Sequence, residues 1–455
     1  MSIWKPAARC FGAGAWLLLS LALVGQAANA ADAPGGSDAA EVAALRAQIE
    51  VLDQRLKMLE RRLEQQDTAR ANAPAVPAVP AAPVVRAGPD RFSLAAPNGQ
   101  TSIRLGGVLN VDNRSYGNSL APSGAALAPG SNGFLLRQAR PIFEVTLNNF
   151  IDFRLMPDFA GGKAVVQDAY INVRFKPWFA VEFGKFKSPV GLENLQLDTD
   201  TRFLERALPS RLLPLRDIGV QVSGDLLGGI VSYQAAYLNG SPDGGSSDSN
   251  SSPDTDNNDK KDLAVRLFAL PFRDTQWLSL RGLGVGVGAS LADQKGEVDA
   301  SGAATNPLLT GYRTGGQQTF FSYRAGTTPT IAWGRRVRIS PQAYYYNGAL
   351  GLLAEYVSLK QDVRRVNGAA VRQDMLEHSA WQLAMNWNVT GEAEGYRIAA
   401  PRHSYGVGTP GWGALELTAR IAGLKLDPDA FAGGAANDLD APTEKVLLSR
   451  FKLQY

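Results

Sequence analysis

FEVTLNNFIDFRL, Phe143 to Leu155, holds two apolar–polar alternations placed back to back. Phe143, Val145 and Leu147 fall on one side of an extended chain, with Glu144 and Thr146 on the other. After Asn148-Asn149, Ile151, Phe153 and Leu155 oppose Asp152 and Arg154. Period-two alternation is the signature of a strand with two unlike faces, and a tight Asn pair suits a hairpin turn. The pattern extends outward in both directions. In DAYINVRF, Ala169, Ile171, Val173 and Phe175 oppose Asp168, Tyr170, Asn172 and Arg174. It returns in Val231, Tyr233, Ala235 and Tyr237, and again in Trp381, Leu383, Met385, Trp387 and Val389 against Gln382, Asn386 and Asn388. The chain ends in Leu447, Phe451, Leu453 and Tyr455 against Arg450 and Lys452. Runs of about 9 to 14 residues, bounded by Gly, Pro, Asn and Asp, read as strands from Asp90 to the C-terminus.

A soluble β-sandwich and a transmembrane barrel both alternate in this way; the barrel turns its apolar face to lipid and its polar face to an aqueous lumen. Three features favour the barrel. The strands are long for a sandwich, Trp and Tyr recur near strand ends, and tight connections alternate with long polar ones such as Ser241 to Asp262. The expected fold is all-β: a transmembrane antiparallel β-barrel of about sixteen strands, with fourteen as the alternative count.

Composition agrees. The chain has 455 residues, 45% hydrophobic and 20% charged, with 47 Gly and one Cys. A collagen-like or disordered chain and a disulfide scaffold are excluded. No apolar stretch after residue 30 is long enough for a spanning helix. Residues 1–30 read as a signal peptide: Lys5 and Arg9, an apolar run from Phe11 to Val24, then Ala28-Asn29-Ala30. Cys10 leaves with it. Removing Lys5 and Arg9 from 46 basic residues leaves 44 against 43 acidic, so net charge gives no guide to partners. Residues 40–66 place Val42, Leu45, Ile49, Leu52, Leu56, Leu59 and Leu63 on an a/d seam with charged flanks. A coiled coil is expected there, against the plainer reading of an amphipathic helix packed on its own protein. Residues 67–89, with Pro74, Pro77, Pro80, Pro83 and Pro89, read as a semi-extended spacer before a barrel domain at 90–455.

Charge on a lipid-facing position is costly, so strand charges are expected in the lumen. Counting parity from the apolar alternation puts Arg104, Arg114, Arg140, Arg154, Arg174, Lys176, Arg266, Arg324, Arg336, Arg338, Arg420, Arg450 and Lys452 inside. The acids counted inside are Asp112, Glu144, Asp152, Asp168, Glu182, Asp217, Glu355 and Glu416. Such a lumen favours anions, which Arg binds through paired donors. An interruption at Gly184 to Gly219 is too apolar for an exposed loop and carries Lys185, Lys187, Arg202, Arg206, Arg211 and Arg216. It is expected to fold into the barrel and narrow the passage; an extracellular cap or a subunit contact is the alternative. The glycines of Gly282 to Gly288 would leave a bare inner face with space for it.

These residues carry a resemblance. LLRQARP (135–141), DFRLMPDFAG (152–161), VQDAYI (166–171), GKFKSPVGLE (184–193), FLERALP (203–209), RDIGV (216–220), ISPQAYYY (339–346), GLLAEY (351–356) and PTEKVLLSRF (442–451) resemble the phosphate-selective porins O and P. The resemblance spans essentially 100–455. It implies a trimeric barrel in the Gram-negative outer membrane, in contact with lipid and lipopolysaccharide. It also implies an inward-folded third loop and an Arg-lined path for phosphate or polyphosphate. Two departures stand out. The family's usual LLRRARP has Arg where this chain has Gln138, which removes one anion-coordinating charge. A Trp-rich hairpin resembling NWYLN, usual before the last strand, is missing.

Catalysis is not expected, because only His378 and His403 offer a base and neither forms a recognisable constellation. Asp254 to Asp259 lacks the Gly and distal Glu of a calcium loop. No metal, cofactor or nucleic-acid partner is expected. The expected activity is passive transport of inorganic phosphate or other small anions. An unselective diffusion porin is the alternative, and a structural envelope barrel is the competing class. In that class the coiled coil matters most and the barrel is an anchor; in either, the coiled coil is expected to stand in the periplasm and to clasp a trimer or reach peptidoglycan.

Overall fold

A computed structural model describes residues 38–72, 82–87, 92–115, 132–162, 164–244, 259–315, 319–367, 370–406, 408, 410–432, 434 and 445–454. The signal-peptide reading, residues 73–81 and 88–89 of the proline spacer, most of the Asp254–Asp259 run and Tyr455 lie outside the described residues. The chain divides into two units, 1–81 and 82–455.

The first unit holds α1 (Asp38–Asn72), a helix six residues longer at its C-terminal end than the heptad reading. Its sequence is rich in Ala, Leu, Glu, Arg and Gln, all strong helix formers. Lys57 pairs with Asp53 one turn away at 2.9 Å, an exposed contact of little weight. Ile49, Leu52, Leu56, Leu59 and Leu63 are all more than half exposed, so among the described residues of its own unit this part of the apolar seam has no cover.

In the second unit the strands follow the alternation. They are β1 (Val84–Ala87), β2 (Phe92–Ala95), β3 (Ser102–Arg114), β4 (Gly133–Leu147), β5 (Ile151–Asp158), β6 (Val165–Lys176) and β7 (Phe179–Lys187). Next come β8 (Arg216–Leu226), β9 (Val231–Leu238), β10 (Asp262–Ala269) and β11 (Leu283–Lys295). Four short strands form two hairpins in one connection: β12 (Glu297–Val298), β13 (Ala304–Asn306), β14 (Tyr312–Arg313) and β15 (Thr319–Phe321). The last five are β16 (Thr330–Asn347), β17 (Leu350–Asn367), β18 (Ala370–Asn388), β19 (Glu416–Lys425) and β20 (Lys445–Gln454). β1 to β11 and β16 to β20 join in chain order into one sixteen-stranded antiparallel sheet. Among the described residues β1 and β20 are its two edges. β1 and β2 have only four residues each, whereas the other fourteen have 8 to 19. β1 begins inside the stretch read as spacer, because Val84-Val85 after Pro83 finds a partner strand in Phe92–Ala95.

The Asn pair does what its residue type suggests. Asn148 and Asn149 both take left-handed backbone angles (φ 49 and 61), and Phe150 N–H closes the turn on Leu147 O at 3.1 Å. That turn matches strand twist and fixes the register, with Glu144 opposite Arg154 and Thr146 opposite Asp152. The two faces of the sheet differ in kind. On β18, Trp381, Leu383, Met385 and Trp387 are 41 to 49% exposed, while the intervening Gln382, Asn386 and Asn388 are buried. Apolar out and polar in is the reverse of a soluble sheet and fits a hydrocarbon surround. Phe150, Trp178, Trp277 and Trp412 are exposed in the connections at the end with the shorter turns. The polar face is covered by an apolar cluster where connections fold back on it: Phe186, Val190, Leu208, Leu212 and Leu213 meet Val357, Leu359 and Leu376.

Three positions differ from the sequence reading. β7 continues to Lys187 and β8 starts at Arg216, so the inserted segment is 188–215, and Lys185, Lys187 and Arg216 lie on strands. The interruption read at Gly184 is a left-handed residue (φ 120) within β7, still in register with Gly219. Arg324 belongs to the connection before β16, where its Nε donates to Gly434 O at 2.9 Å.

Candidate functional site: the crossing of the polar face

Segment 188–215 leaves β7, crosses the polar face and binds strands far away in sequence. Val190 O accepts from Gln342 Nε2 at 2.9 Å, and Leu192 N–H donates to Glu355 Oε1 at 2.7 Å. Glu193 accepts from Arg420 Nη1 at 3.0 Å, Gln382 Nε2 at 3.1 Å and Ala207 N–H at 2.8 Å. The short helix α2 (Leu192–Leu195) is thus tied to β17, β18 and β19, and Val190 just before it to β16. The glycine run makes room for it. A side chain at Gly288 would overlap the carbonyl of Val190.

From the short-turn end the 389–415 connection meets the same segment. Arg202 Nη2 donates to Glu394 Oε2 at 2.6 Å and to Gly395 O at 2.7 Å, while its Nε reaches Glu416 at 3.1 Å. Gln196 Nε2 donates to Tyr396 O at 2.8 Å, and Tyr396 Oη donates to Leu192 O. Two connections from opposite ends therefore narrow the same level.

Residues 124–443 match the family described as phosphate-selective porin O and P. The chain belongs to this family. No curated protein matches the porin. Among solved structures it is similar to OmpT of Vibrio cholerae. The form lacking loop L8 is 12% identical over 78% of this chain and 89% of that one (TM-score 0.44), and the outer-membrane-expressed form is 12% identical over 78% and 82% (TM-score 0.42). A porin refined at 1.8 Å is 12% identical over 65% and 78% (TM-score 0.30).

The basic residues expected to line the porin's path fall into separate places. Arg140, Lys187, Arg206 and Arg216 gather around Asp198 of the inserted segment. Arg140 also pairs with Asp158 at 2.6 Å, Arg216 with Asp168 at 2.6 Å, and Lys187 Nζ donates to Gln196 O. Burial pushes the Asp198 carboxyl up, but Arg206, Arg216, Lys187 and Arg140 override it and hold the group well below the usual carboxylate range. Arg154 is adjacent, between Glu144 and Asp168. Lys185 is buried on β7, and Arg211 lies 3.9 Å from Glu205. Arg336 and Arg338 form a second cluster: Arg336 pairs with Asp262 at 2.6 Å, and Arg338 Nε donates to Asp243 at 3.0 Å. Arg266 bonds Gln342 at 3.0 Å and lies over the Phe268 ring. Arg174 is apart, near the short-turn end with Asp152 at 2.8 Å.

Parity counting missed Arg137. Its Nη2 is 3.0 Å from Glu205 and it helps line a cavity of about 500 Å³ with Asn110, Asp112, Gln138, Asp198, Thr201, Arg206 and Arg211. The cause is a bulge: Asn110 pairs with Gln138 and Val111 with Leu136, so Arg137 is the extra residue and faces inward beside its neighbour. Acids were missed too. Asp158, Asp243, Asp262 and Glu394 stand at strand ends and in connections that fold inward, so the excess of inward positive charge is smaller than strands alone suggest. His378 is buried, its Nδ1 accepting Asp427 N–H at 3.0 Å and its Nε2 3.1 Å from Tyr323 Oη, contacts that hold a connection in place.

Proposed function

We propose that this porin is a passive outer-membrane channel that prefers small anions, inorganic phosphate and polyphosphate foremost. The sheet edges close it into a barrel. The observation that carries the reading is the set of guanidinium groups held where segment 188–215 crosses the polar face: Arg140, Arg206 and Arg216 around Asp198, and Arg202 between Glu394 and Glu416, present fork-shaped donors suited to oxyanions. Lys185, Lys187, Arg211 and Arg154 extend that surface, and Arg336, Arg338 and Arg266 form a second basic station. Arg174 would mark the exit. Several weak stations release an ion better than one tight one. The barrel is proposed to assemble as a trimer among lipid and lipopolysaccharide, with α1 in the periplasm as a coiled coil that clasps the trimer or reaches peptidoglycan.

An unselective diffusion porin is the second reading. It is favoured by the carboxylate that faces each of these four arginines, since a balanced lining attracts neither sign strongly. Reversal potential across a planar bilayer separates the two. With a tenfold potassium chloride gradient, the anion channel gives a potential of the sign set by chloride, and Arg140→Ala with Arg206→Ala moves it towards zero. A wild-type potential near zero or of cation sign rejects the anion reading.

A further inference from the structure

Asp198 occupies an unusual position for a counter-ion. Its two carboxylate oxygens are held from different sides: Oδ2 by Arg140 Nη1, Oδ1 by Arg206 Nη2, with Arg216 Nη2 at 4.0 Å from Oδ2. That is how an oxyanion is gripped by guanidinium groups. The other acids of the cluster, Asp158 and Asp168, are fixed on β5 and β6. Asp198 instead belongs to a turn of the inserted segment, closed by Asp200 N–H on Leu197 O at 2.9 Å and Thr201 Oγ1 on Asp198 O at 2.8 Å. If its side chain swung aside, Arg140 and Arg216 would keep Asp158 and Asp168 as partners. Arg206 and Lys187 would be left without a carboxylate.

We propose that Asp198 is a tethered competitor which sets the porin's anion affinity: in the empty channel its carboxylate fills the place that a permeating oxyanion takes between Arg140 and Arg206, and it yields that place when the ion arrives. Two observations support the exchange. Arg206 Nε is buried and has no hydrogen-bond partner among the described residues, so a further donor is available. The adjoining cavity of about 500 Å³, lined by Asp198, Thr199, Thr201 and Arg206, has room for the displaced side chain and for a partly hydrated ion. The exchange keeps the charge of the cluster nearly constant, so the site is never left as an uncompensated group of cations. That design favours fast passage over tight holding. A phosphate can offer a separate charged oxygen to each arginine, as Asp198 does, whereas chloride offers both the same single centre.

This inference rests on the anion-channel reading, and the test keeps the two apart. The full mature chain and its Asp198→Asn variant are recorded in bilayers in potassium chloride, with inorganic phosphate added to both sides. The variant is expected to need about tenfold less phosphate to halve the chloride current, the factor that corresponds to lifting about 1.4 kcal/mol of internal competition. Asp198→Ser is measured in parallel and is expected to shift the same way. A wild type that is anion-selective and blocked by phosphate, with variants blocked at the same or higher concentration, overturns the tethered competitor alone. A wild type without anion preference or phosphate block overturns the underlying reading and the inference with it. If neither variant folds to a heat-stable form, Asp198 is a structural counter-ion and the proposal falls.

Discussion

Arg202 shows most plainly how one side chain holds two connections together. It lies on the inserted segment, is almost fully buried, and pairs with Glu394 of the 389–415 connection and Glu416 of β19. Two carboxylates this close tolerate each other only because a guanidinium lies between them. Arg202→Met keeps the bulk and leaves both acids without it, so the change is expected to cost about 3–5 kcal/mol. The midpoint of urea unfolding in detergent measures it, and a loss below about 1 kcal/mol contradicts the latch. Which residues matter was partly legible in sequence. Arg202 and Arg206 announced themselves by standing in an apolar stretch too rich in Leu for an exposed loop. Arg137 did not, because one bulge inverts the face of everything on its far side and leaves no mark in the residue types. Glu394 carried no signal either, since its partner is 192 positions away.

At the level of elements, alternation located the membrane-length strands because period two reads through single substitutions. Boundaries slipped where glycine interrupted the pattern: Gly184 ended the run on paper but not in β7, which continues through a left-handed residue to Lys187. The glycine run of β11 was informative in the opposite sense, since its bare face receives Val190. For α1 the heptad seam was legible, and the coiled coil proposed for it needs a second helix. An isolated amphipathic helix that exposes five large apolar residues is unfavourable in water, and the proposed association would cover them. Deleting residues 40–66 is expected to shift the porin's oligomer distribution towards monomer, read by light scattering in detergent. An unchanged distribution assigns assembly to the barrel walls alone.

The whole molecule presents one broad apolar surface. Leu263, Val265 and Leu267 on β10, and Leu352 and Tyr356 on β17, are 40 to 52% exposed on the face away from the buried polar groups. Apolar cover of this breadth is far above what a water-soluble monomer presents. Charged pairs on the same outward face, such as Lys360 and Glu377 at 3.4 Å, occur on the β17–β18 hairpin, whose strands of 18 and 19 residues are longer than the roughly 9–11 needed to cross hydrocarbon. Strand backbones meet no water in a bilayer, and the proposed closure would satisfy the edges β1 and β20. The most direct measurement is current through a lipid bilayer that receives the purified chain from detergent. Discrete, ohmic conductance steps are predicted, with the chain aggregating once detergent is withdrawn. A chain that remains a compact monomer in plain buffer and produces no steps contradicts the account.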